Sequence, residues 1–130
     1  MASGPSAVQG TAIAVTTSEA AIAALPPGNW SGSAGALITV ALNYSPSATA
    51  TAVVLRVRQG TGIAGTLVGV ARTVTVANPN SYEVCFNLLD TSAFGQAQQQ
   101  GVYTLSAQGT TAGGTVNIGT LSLETTAPIS

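Results

Sequence analysis

The chain has 130 residues, 45% hydrophobic and only 5% charged, with three Lys or Arg against four Asp or Glu, a net charge of −1 and no histidine. That length suits one domain with one closed core, whereas soluble domains usually carry about 25% charged residues. The hydrophobicity excludes a disordered chain, three arginines are too few to neutralise a run of nucleic-acid phosphates, and no stretch of about 20 apolar residues crosses a membrane as a helix.

Met1-Ala2-Ser3-Gly4-Pro5-Ser6 lacks the basic region and apolar core of a signal peptide, so cytoplasmic synthesis is expected. Residues 1–28 read as an N-terminal arm or edge segment. Within them Ser18 to Leu25 is Ala-rich with Glu19 near its start, which fits a short helix or an edge strand equally well. Pro26-Pro27-Gly28 ends that segment. Trp30, the sole tryptophan, is expected as a buried lid at a strand's start, the sharper alternative being a ligand or interface anchor.

From there the period is two. Ile38, Val40, Leu42 and Tyr44 make one apolar face, and Val53, Leu55 and Val57 make the next, with Arg56 and Arg58 on the opposite side. Gly60-Thr61-Gly62-Ile63-Ala64-Gly65 matches G-x-G-x-x-G letter for letter. The residues after it continue as strand, however, and the dinucleotide motif requires a helix. A glycine-rich connection between antiparallel strands is expected. In Thr66 to Ala77, Val68, Val70, Val74 and Val76 share a parity with Arg72, so the arginine marks a sheet edge or two short strands meet there.

Tyr82, Val84, Phe86 and Leu88 form a further inward set, with Cys85 in the opposite phase, on the less buried face or under a neighbouring subunit. Asp90-Thr91-Ser92 reads as the start of a loop with turn or cap chemistry. Tyr103, Leu105 and Ala107 align in the next strand. In the last, Thr115 to Glu124, Val116 and Ile118 have one parity while Leu121 and Leu123 have the other, which predicts a β-bulge at Gly119. The whole of 1–130 is read as a single antiparallel β-sandwich.

Little chemistry is available. A catalytic thiol needs a base, and Cys85 has no histidine to supply one. One cysteine and four scattered carboxylates make a transition-metal site improbable, and calcium at Asp90 or Glu83 lacks an Asp-rich loop. No acid–base or nucleophile–base pair is visible. The expectation is a protein that is not an enzyme and uses no cofactor.

The order of Trp30, Leu37-Ile38-Thr39-Val40, Val54-Leu55-Arg56-Val57-Arg58, Gly60 to Gly65, Gly101-Val102-Tyr103-Thr104-Leu105 and Gly119 to Glu124 resembles the jelly roll of the tumour-necrosis-factor and complement-C1q type. The resemblance covers about residues 29–125 and extends to small phage and bacterial surface proteins. It implies a homotrimer that joins a capsid or other surface assembly, as a virion decoration or head-fibre protein or a cell-surface component. Nucleic acid and membrane are not expected partners. The aromatic residues expected at the trimer axis are Tyr44, Tyr82, Phe86 and Tyr103, some of which must instead fill the core. The alternative is a recognition module for glycans or a receptor, anchored at Trp30.

Overall fold

The structure, a computed structural model, describes residues 3–7, 13–25, 36–77, 81–90 and 103–125. Nine strands and no helix are found among them: β1 (Ser3–Ala7), β2 (Ile13–Ala14), β3 (Ala20–Leu25), β4 (Ala36–Ser45), β5 (Ala52–Gln59), β6 (Arg72–Thr75), β7 (Tyr82–Asp90), β8 (Tyr103–Gly109) and β9 (Thr115–Thr125). They build two antiparallel sheets packed as a β-sandwich. Sheet A has the order β1-β9-β4-β7, with β2 also pairing along β9, and sheet B has the order β3-β8-β5-β6.

The alternation in sequence produces the core directly. Ile38, Val40, Leu42 and Tyr44 of β4 face Val53, Leu55 and Val57 of β5 and Tyr103, Leu105 and Ala107 of β8, and all ten are buried. Fully burying an aliphatic or aromatic side chain of this size is worth about 1.5–3 kcal/mol, so this layer is the main source of stability.

The bulge falls at the residue the parity indicates. β4 and β9 pair Ala41 with Thr120 and then Leu42 with Ile118, which leaves Gly119 as the extra residue. Its insertion sets Val116, Ile118, Leu121 and Leu123 opposite the core-facing Tyr44, Leu42, Val40 and Ile38.

Two local ambiguities are resolved by pairing. The Ala-rich segment is strand β3, laid along β8 with an irregularity between Ala21 and Ala23. Its alanines would suit a helix, but the free side of β8 offers a ladder and Ile22 reaches the core. The described parts of residues 1–28 are thus edge strands of both sheets. In the second case the sheet-edge alternative holds, and an isolated bridge takes the place of a second short strand. Leu67 bridges to Arg58 and Val68 is buried, Gly69 turns the chain at φ +64°, and β6 then resumes pairing on β5 as the edge of sheet B. Val70 is thrown outward at 64% exposure and leaves the face its parity suggested.

Candidate functional site

The outer face of sheet B holds three of the chain's seven charged residues. Arg58 of β5 grips Glu19 with two bonds, Nε to Oε2 at 2.7 Å and Nη2 to Oε1 at 3.0 Å. Ser106 of β8 donates to the same carboxylate at 2.6 Å, and Arg56 stands 3.7 Å from it. Arg56 also donates to Gln108 at 2.8 Å, and Gln108 in turn donates to the Thr17 carbonyl at 3.0 Å. The Arg58 guanidinium beside Glu19 holds its carboxyl below the usual value, against the opposing effect of burial. The same pairing raises Arg58.

This network ties the segment ahead of β3 to β5 and β8. The two arginines on one outward parity are legible in the sequence, whereas their carboxylate partner lies 39 residues away from Arg58 and carries no local signal.

The glycine-rich loop folds onto the same face. Thr104 Oγ1 donates to the Gly60 carbonyl at 2.7 Å and accepts from the Gly62 amide at 3.0 Å. Gly60 and Gly62 have φ of +89° and +86°, which side chains rarely tolerate. The chain then returns antiparallel, with the Gln59 amide bonded to the Thr66 carbonyl at 2.9 Å and the Val68 amide to Val57 at 2.8 Å. The G-x-G-x-x-G match is therefore a β connection, as its context predicts. No helix follows it to present an N-terminus.

At one end of the sandwich, Asp90 departs from the loop role expected of it. It is the last residue of β7 and only 5% exposed, and it accepts from Tyr103 Oη at 2.6 Å and Gln59 Nε2 at 3.2 Å. The parity of β7 turns Asp90 inward, where it joins sheet A to two strands of sheet B. Burial, and then the bond to Asp90, push the Tyr103 phenol well above its ordinary range. Glu83 projects from the opposite face of β7, seven residues away, so the two carboxylates do not converge. Among the described residues no three His, Cys, Asp or Glu groups cluster to hold a metal.

All four aromatic residues expected at an oligomer axis lie on the inward phase instead. Tyr44 and Tyr103 are fully enclosed in the core, with the Tyr44 hydroxyl on the Ala50 carbonyl at 3.2 Å. Tyr82 and Phe86 are half-buried at the open side of the sandwich, Tyr82 bonded to the Ala77 carbonyl at 3.1 Å. A side chain enclosed between the sheets has no surface to give an interface, so Tyr44 and Tyr103 are two of those that fill the core. Trp30 lies outside the described residues.

The outer face of sheet A is of another kind. Leu37, Thr39, Ala41 and Asn43 of β4 share it with Glu83, Cys85, Asn87 and Leu89 of β7. Cys85 is exposed, as its phase predicts, and Leu89 is 50% exposed. A shallow open depression of about 350 Å³ lies here, lined by Ala41, Asn43, Glu83 and Cys85 among others.

Compared with models of known protein families the chain matches none, and no curated protein matches it. The fold and these sites together define an antiparallel β-sandwich whose polar side chains mostly hold strands and loops to one another.

Proposed function

We propose that this protein is a non-enzymatic structural component of a virion or cell surface, of the capsid-decoration or head-fibre kind, working as a homotrimer of jelly-roll domains. Strand order supports the jelly-roll reading. β5 pairs with β6, β4 with β7, β3 with β8, and β1 and β2 with β9, which is the ladder of one long hairpin wound over two sheets.

The observation that carries the structural role is the outer face of sheet A. Its described side chains on β4 and β7 are apolar or neutral apart from Glu83. Charged residues are depleted at the centres of protein interfaces, and a broad face of this kind calls for cover or for a neutral hydrogen-bonding surface. A trimer built on this face leaves the sheet B network and the core aromatics undisturbed.

Native mass spectrometry and light scattering test the reading, with negative-stain imaging of the source particle to find the assembly it joins. The expected mass is about three times the 12.7 kDa monomer. Ala41→Glu, at the middle of the face, should lower it to that of the monomer while the β spectrum persists. A clean monomer for the unmodified chain overturns the trimer, and saturable glycan binding by such a monomer turns the reading toward a recognition module.

A further inference from the structure

β7 pairs with β4 residue for residue, from Tyr82 opposite Tyr44 to Asp90 opposite Ala36, without a bulge. Among the described strands it has no neighbour on its other side. The Asn87 carbonyl accepts a bond from Arg72 Nη2 at 3.3 Å, and Arg72 belongs to β6 of the opposite sheet. Asn87 therefore turns its backbone groups off the sheet. By strand alternation the N–H and C=O groups of Glu83, Cys85 and Leu89 turn the same way.

This edge lacks the ordinary protections of a proline, a lysine or a bulge. Among the described residues what covers it is Arg72, whose guanidinium lies 5.4 Å from the centroid of the Phe86 ring while it bonds to Asn87.

The strand is complementary to itself. Of the antiparallel registers across a two-fold axis, the one centred on Phe86 engages all nine residues. It sets Tyr82 opposite Asp90, Glu83 opposite Leu89, Val84 opposite Leu88 and Cys85 opposite Asn87. Every outward-facing backbone group then meets an outward-facing one. On the inner phase Val84 meets Leu88 and Phe86 meets Phe86, while the two Glu83 carboxylates stand at opposite ends. One feature opposes the pairing. The two Arg72 guanidiniums, each lying on its own Phe86, would converge at the axis.

We propose that the outward backbone groups of Glu83, Cys85, Asn87 and Leu89 make β7 a strand-pairing surface for β7 of a second copy of this chain, in the register centred on Phe86, and that Arg72 is the catch that keeps it closed. Closed, the edge leaves assembly to the sheet faces. Opened, by loss of the charge or its capture by an acidic group, it joins two sandwiches into one continuous sheet and doubles whatever oligomer is present.

Amide hydrogen exchange and mass together test this. In the unmodified protein the amides of Glu83, Cys85, Asn87 and Leu89 should exchange as unpaired groups. In Arg72→Ala all four should slow about tenfold or more, and the mass should double, from monomer to dimer or from trimer to hexamer. Arg72→Gln keeps a donor for Asn87 without the charge and should behave as Arg72→Ala does, whereas Arg72→Lys should stay closed. Adding Glu83→Pro to Arg72→Ala removes one outward amide without touching the β4 ladder and should restore the original mass. Protection of the four amides in the unmodified protein, or no doubling in either neutral variant while the β spectrum is intact, overturns the proposal. A trimer built on the sheet A face is read independently, since the doubling applies to any starting mass.

Discussion

β7 and β8 carry similar alternating patterns and meet opposite fates. In β8 every residue from Tyr103 to Ala107 is buried, on both faces. In β7 the outward residues Glu83, Cys85, Asn87 and Leu89 are all exposed. The difference lies in what surrounds each strand. β8 runs between β3 and β5, and its outward Thr104 and Ser106 are roofed by the glycine loop and the Glu19–Arg58 pair. β7 is the edge of sheet A among the described strands, with its outer face exposed. Burial on both sides of β8 is thus achieved with polar cover, and it is tolerated because each hydroxyl beneath that cover is hydrogen-bonded.

Breaking the inner layer of β8 should have the largest effect. Leu105→Ala removes a fully enclosed side chain from the core and should cost about 2–5 kcal/mol in chemical denaturation. In the Ala41→Glu monomer the same truncation at Leu89 on β7 should stay within about 0.5 kcal/mol, as for most exposed positions. Equal losses at the two sites would remove the contrast.

Removing the cover should come next. Glu19→Ala strands Arg58 and Ser106 and should cost about 1–3 kcal/mol, reduced from a fully buried pair because the partners retain some contact with water. The same network predicts an acid limb. A carboxyl held low in the folded state contributes fully above its unfolded value, near 4.5, and its contribution is lost as pH falls through the lowered one. Stability measured from pH 6 down to pH 3 should therefore fall less steeply in Glu19→Gln.

The end of β8 sharpens the comparison further, because Tyr103 links it to the end of β7. Tyr103→Phe leaves Asp90 short of one donor and should cost about 1–2 kcal/mol. On the alkaline side the sign is reversed. A phenol whose folded value is raised contributes fully below its ordinary value, 10.0, and loses that contribution as pH rises toward the folded one. Tyr103→Phe should flatten the loss of stability above pH 10. The smallest effect is expected at Cys85→Ser on the outer face of β7 in the Ala41→Glu monomer, within about 0.5 kcal/mol by thermal melting.

Much of the fold was legible residue by residue. The inward sets of β4, β5, β7 and β8, the bulge at Gly119 and the outward phase of Cys85 all follow from period two, because successive strand side chains alternate by backbone geometry alone. The glycine loop was legible because its neighbours were strand-like. The candidate sites were legible only in part. Arg56 and Arg58 could be assigned to one face, but their carboxylate could not be named, and Asp90 looked like a turn residue because Thr and Ser follow it.

What the sequence determined by itself is local: the alternating faces of β4, β5, β7 and β8, the bulge in β9, and the turns that need glycine. What only the tertiary structure decided is partnership. Ala20–Leu25 became strand because β8 had a free side. Glu19 was matched to Arg58 across 39 residues and to Ser106 across 87. Tyr44 and Tyr103 were drawn into the core, not set at an outer axis, and Arg72 was laid over the edge of the opposite sheet. Alternation depends on dihedral angles within a few residues. Cover, ion pairing and the identity of an edge depend on which distant strands close against one another, and no short stretch of chain carries that information.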